Sequence, residues 1–222
     1  MSSLEAERPR RTTLVRAASD PSQGPVLELH LRGARRGAET ILGAIELTVG
    51  AAETVALTGP SGVGKTTLLR ILAGLDRDFD GSCTVSAKIG MVFQEPVLLP
   101  WRTARRNLTL TCGISPTEAE AALEAVGLGG MDGHFPGQMS LGQQRRLALA
   151  RAFASGAGLL LMDEPFVSLD PKTADGVMEV YERLRDRHRV STVLVTHDAG
   201  EASRLADRML RLEGRPALLT AS

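Results

Sequence analysis

Cysteine is scarce: Cys83 and Cys112 are the only two, far apart and without metal-ligand spacing. That excludes a disulfide framework and a thiolate metal centre, and reads as two reduced thiols in a cytosolic protein. Net charge is also lacking, with 26 Lys plus Arg against 26 Asp plus Glu, so no broad basic surface for nucleic acid is implied. No apolar run approaches the ~18 residues that cross a bilayer. Arg8, Pro9, Arg10 and Arg11 interrupt any secretory apolar stretch. Aromatics are few, and none precedes Phe79. There is no internal repeat.

What is present fits one large domain of 222 residues, or a domain with a subdomain. Residues 1–24, rich in Ser, Pro, Arg and Glu, read as a disordered tail. From Val26, "VLELHL", "AIELTV" and "ETVALTG" are short strands between Gly-containing turns. Thr67 to Leu75 reads as a helix ending near Gly74, and "KIGMVFQ" as a further strand. From about 95 to 155 the chain becomes mostly helical. Ser115-Pro116-Thr117-Glu118 is a capping box, and a second helix starts at Ser140. "GLLLMDEP" and "STVLVTHD" are the continuous apolar runs of parallel strands buried on both faces. Asp170-Pro171 opens a long helix reaching about His188.

Gly59-Pro60-Ser61-Gly62-Val63-Gly64-Lys65-Thr66, followed by Thr67, matches the phosphate-binding pattern G-x-x-x-x-G-K-[ST] between a strand and a helix. Its glycines let backbone N–H groups turn around phosphate oxygens, and the helix N-terminus adds partial positive charge. Lys65 would reach the β- and γ-phosphates, and the Thr66 hydroxyl would ligate Mg²⁺. At the end of "LLLMDEP", Asp163 suits Mg²⁺, and Glu164 suits polarisation of an attacking water.

With these residues placed, the chain from 26 to 214 resembles the ATP-binding subunits of ABC transporters. The resemblance implies an α/β P-loop NTPase core of ABC ATPase type, with an N-terminal antiparallel β-subdomain and an inserted helical subdomain. The domain would span 25–216, with the helical part at about 95–155. It assigns Gln94 in "MVFQEP" to Mg²⁺ and the attacking water. Met139-Ser140-Leu141-Gly142-Gln143 corresponds to the family's LSGGQ element, Ser168-Leu169-Asp170 to its D-loop, and His197 to its γ-phosphate-sensing histidine. Ser140, Gly142, Gln143 and Asp170 would serve the nucleotide held by a second copy in a head-to-tail homodimer. Lys65, Gln94, Glu164 and His197 would then carry hydrolysis of ATP with Mg²⁺.

"GMVFQEPVLLPWRT" and "MDEPFVSLDP" further resemble ATPases of nitrate/sulfonate/taurine-type importers of small anionic or organic solutes. That implies transmembrane permease subunits, a periplasmic solute-binding protein and a peripheral place on the cytoplasmic face of the inner membrane. No nucleic-acid partner and no C-terminal regulatory domain are expected. The segment Glu95 to Asn107 would meet the permease, with Trp101 as an interface anchor or as a packing residue of the helical block. Taken alone, several of these residues have plain structural roles: Asp170 as a helix cap, and Asp198 with Glu201 as a capping box.

Two departures stand out. The aromatic that stacks on adenine in the family is missing, and its position falls near Arg36, which predicts weaker base discrimination. Leu141 replaces a glycine, tolerable if its φ is negative and costing on the order of 1 kcal/mol or more if positive. Two alternatives stay open: a non-transport ABC ATPase of cell-division or lipoprotein-release type, and a nucleotide-binding regulatory module that hydrolyses poorly.

Overall fold

The computed structural model describes residues 14–16 and 24–221. Most of the tail expected over residues 1–24 therefore lies outside the described residues. Within it, Leu14–Arg16 forms a short strand, β1.

Alternating apolar residues build β2 (Leu27–Arg36) and β4 (Ile45–Val49), and between them in the chain the short β3 (Glu39–Leu42) buries only Leu42 fully. In β4 the pattern is strictly in–out, with Ile45, Leu47 and Val49 buried. β5 (Thr54–Thr58) leads into the phosphate loop and α1 (Lys65–Leu72), after which come β6 (Phe79–Val85) and β7 (Ile89–Val92). Three helices follow, α2 (Ala104–Cys112), α3 (Pro116–Ala125) and α4 (Leu141–Ala154). β8 (Leu159–Asp163), α5 (Pro171–His188), β9 (Ser191–Val195), α6 (Ala199–Leu205), β10 (Arg208–Gly214) and β11 (Ala217–Ala221) complete the described chain.

β2 pairs antiparallel with β3, β4 and β6, which makes the expected antiparallel β-subdomain. β5 leaves that group and joins a parallel core in the order β10-β5-β9-β8-β7. Burial on both faces explains why Leu159–Met162 and Ser191–Val195 read as unbroken runs. In open parallel sheets, ligands bind beyond the carboxyl ends of the strands. Here the ends of four neighbouring strands carry the phosphate loop (β5), His197 (β9), Asp163 and Glu164 (β8) and Gln94 (β7).

Some elements differ from the sequence reading. α1 begins at Lys65 rather than Thr67, because the loop's last glycine, Gly64, is itself the N-cap. β6 escaped notice because Gly81 and polar residues interrupt its apolar pattern. Gly81 has φ +144°, and a Cβ there would lie 2.1 Å from the His30 carbonyl oxygen, so only glycine allows β2 to approach. α2 carries few apolar residues, so its bounds are not marked in the sequence; Thr103 caps it by accepting from the Arg106 amide.

Candidate nucleotide-binding site

An open cleft of about 410 Å³ is lined by Ser61, Gly62, Gly64, Lys65, Thr66 and Thr67, together with Arg36, Ile41, Gln94 and Glu164. Gly62 and Gly64 have φ of +76° and +117°, so the loop turns in a conformation that side chains rarely permit. A Cβ on Gly64 would also come within 2.7 Å of Leu42 Cδ2, since β3 packs closely over the start of α1. The Lys65 side chain is buried and donates to the carbonyl oxygens of Gly59 at 2.8 Å and Pro60 at 3.0 Å.

The Thr66 hydroxyl donates to Asp163 Oδ2 at 3.0 Å. Burial pushes the Asp163 carboxyl up from its ordinary range, and this hydrogen bond pulls it partly back. Thr66, Gln94 and Asp163 offer hydroxyl, amide and carboxylate oxygens, a donor set that suits a hard cation such as Mg²⁺.

Glu164 carries φ +44°, uncommon outside glycine, and its amide donates to the Val195 carbonyl at 2.9 Å. Its Oε2 lies 3.4 Å from His197 Nδ1. Beneath the exposed His197, the buried Thr196 donates to the Glu201 carboxylate and accepts from the Asp198 amide at 3.0 Å. This corrects the capping box expected at Asp198 and Glu201. Asp198 does cap α6, accepting from Gly200 and Glu201 at 2.7 and 3.0 Å, but Glu201 turns to Thr196 instead of closing the box.

Ser140, Gly142, Gln143 and Asp170 do not line this cleft. The α4 capping box is complete: Ser140 Oγ accepts from the Gln143 amide at 3.3 Å, and Gln143 Oε1 accepts from the Ser140 amide at 2.8 Å. Leu141 is the first helical residue, is exposed, and does not have positive φ, so its backbone makes no demand for glycine. Asp170 caps α5 by accepting from the Thr173 amide at 3.0 Å.

Two residues escaped the sequence reading. Asn107 is fully buried and donates to the carbonyls of Leu99, Arg102 and Thr103 while accepting from the Leu99 amide. It holds the loop that presents Trp101, which is 67% exposed. Arg145 is also buried and reaches two backbone carbonyls flanking the cleft. An Asn or Arg set among other polar residues of a helix gives no sequence signal of burial.

The ABC transporter family model matches residues 42–167, and an AAA domain model matches 135–203. The aliphatic sulfonates import ATP-binding protein SsuB of Granulibacter bethesdensis is 43% identical over 194 residues, which covers 86% of this chain and 82% of its own. An SsuB 2 protein of Rhizobium johnstonii is 47% identical over 194 residues, covering 84% and 78%. The ATP-binding cassette MJ0796, solved as a dimer in a post-hydrolysis state bound to ADP and phosphate, superposes with TM-score 0.76 at 29% identity, covering 88% of this chain and 98% of that one. Family model, relatives and fold agree, and the chain belongs to the ABC transporter family as one of its ATP-hydrolysing, ATP-binding subunits.

Proposed function

We propose that this chain drives import of a small anionic organic solute of the aliphatic sulfonate class, as a head-to-tail homodimer that binds two ATP molecules between its copies. The observation that carries the reading is the split of the motifs: one set converges on the cleft, while Ser140–Gln143 and Asp170 lie outside it and are free to close on a second copy's nucleotide. The SsuB relatives, named for aliphatic sulfonate import, support the solute class.

Within each cleft, backbone amides from Ser61 to Thr66 cradle the phosphates, and Lys65 exchanges the Gly59 and Pro60 carbonyls for phosphate oxygens. Thr66, Gln94 and Asp163 would hold Mg²⁺ through their oxygens. That ion would supply charge neutralisation to the phosphates. Glu164 takes the proton of the attacking water, and His197, next to Glu164, contacts the γ-phosphate. The partner copy's Ser140 hydroxyl and Gly142 amide donate to that phosphate from the α4 N-terminus.

Residues 25–216 form the ATPase domain, and about 95–155 its helical subdomain. No helix among the described residues is long and apolar enough to cross a membrane. Coupling runs through a permease docked near Val97 and Trp101, which are 56% and 67% exposed. A periplasmic solute-binding protein delivers the solute from the other side. With Leu141 at negative φ, a hydrolysis-poor module loses one of its two supports.

Glu164→Gln should abolish Mg²⁺-dependent ATP hydrolysis and leave ATP-stabilised dimers visible by light scattering. Normal turnover in that variant would overturn the mechanism. Sulfonate uptake by vesicles holding chain and permease tests the solute class.

A further inference from the structure

We propose that Arg145 is a positioning residue for ATP hydrolysis, tying the helix that serves the second copy's nucleotide to the end of β7 that carries Gln94 and to the β8–α5 loop that runs from Glu164 to Asp170. The proposal rests on the functional reading above.

Arg145 lies on α4, five residues after Ser140, and is 2% exposed. Its Nη1 donates to the Phe93 carbonyl at 2.8 Å, immediately before Gln94. Its Nη2 donates to the Val167 carbonyl at 3.3 Å, between Glu164 and Asp170. The Nε is buried without a partner. A guanidinium buried on two backbone carbonyls, with one donor unmet, is a costly way to fill space, and an apolar side chain would fill it more cheaply. What the guanidinium adds is geometry: a rigid fork that sets the distance between the end of β7 and the β8–α5 loop.

A second contact makes the unit stiffer. Gly142 packs so closely on Thr173, in the first turn of α5, that a Cβ at 142 would lie 2.4 Å from Thr173 Cγ2. Gln144, beside Arg145, donates to the carbonyls of Pro136 and Met139 at 3.0 and 3.1 Å and fixes the approach to Ser140. The α4 N-terminus, the Gln94 loop and the Asp170 loop are thus joined within one copy. A shift of Gln94 on nucleotide binding is carried through the Arg145 fork to Ser140, which faces the other nucleotide.

The test compares the wild-type chain with Arg145→Met and Arg145→Lys in Mg²⁺-ATPase titrations, together with ATP affinity measured without Mg²⁺. Arg145→Met should lower kcat at least tenfold and raise the half-saturating Mg²⁺ at least threefold. Its ATP affinity without Mg²⁺ should stay within twofold of wild type, and Arg145→Lys should recover part of both losses. A role in packing alone would lower the melting temperature without moving the Mg²⁺ curve. The proposal is overturned if Arg145→Met keeps kcat within twofold, or loses kcat with an unmoved Mg²⁺ curve. Should Arg145→Met not fold, Arg145→Gln carries the same criteria, with the shifts measured against wild type. A wild-type chain without Mg²⁺-dependent hydrolysis would overturn the functional reading itself, and the proposal with it.

Discussion

Gly142 and Thr173 are in contact because residue 142 has no Cβ: one placed there would lie 2.4 Å from Thr173 Cγ2. Its neighbour Leu141 is exposed and helical, so the glycine that matters in this element is the second and not the first. Gly142→Ala should therefore destabilise the chain by about 1–3 kcal/mol through overpacking. Leu141→Gly should cost no more than ~1 kcal/mol and leave kcat within about twofold. Urea denaturation and ATPase rates on the two variants check both statements.

Acid pH should relieve a stability cost at the cleft. The Asp163 pKa is raised in the folded chain, chiefly by burial, above an unfolded value of about 3.9. Between those two values the native state holds more protons than the unfolded state, so stability falls as pH rises through the window. Above the folded pKa the cost is fully present. Glu201, also raised by burial, acts in the same direction. Asp163→Asn should raise the melting temperature at neutral pH, and this advantage should vanish below about pH 4. Hydrolysis should fall on the order of 10²-fold. Thermal scans from about pH 3 to 8 give the test, and a variant melting below wild type at neutral pH would contradict it.

Asn107 and Trp101 should separate stability from docking. Removing the Asn107 amide leaves the carbonyls of Leu99, Arg102 and Thr103 without their donor, so Asn107→Ala should cost about 2–3 kcal/mol. Trp101→Ala should change stability by less than ~0.5 kcal/mol, since the ring is largely exposed. It should weaken permease binding by about 2 kcal/mol or more if the ring anchors that contact. Calorimetry of the chain alone and pull-down with the permease distinguish the two effects.

Arg36, near the family's adenine-stacking position, and Ile41 of β3 both line the cleft. Arg36→Tyr should tighten ATP binding by about 1 kcal/mol through base stacking and widen the preference over GTP. Affinities for ATP and GTP in wild type and variant decide it. A wild-type chain that already binds ATP tightly and rejects GTP would refute the weak-discrimination reading.

Much of this protein was legible in one dimension. The phosphate loop announces itself because its chemistry demands glycines and a lysine at set spacing, and the strands β8 and β9 because burial on both faces favours runs of apolar side chains. The caps at Ser115, Ser140 and Asp170 were readable for a similar local reason, as each acts within three residues. Tertiary structure alone decided what depends on distant chain segments. It brought the ends of β5, β9, β8 and β7 side by side, turned Glu201 from its cap to Thr196, and buried Asn107 and Arg145 on backbone carbonyls. It also answered what Leu141 left open, because φ at a helix start is a property of the folded backbone and not of the residue's name.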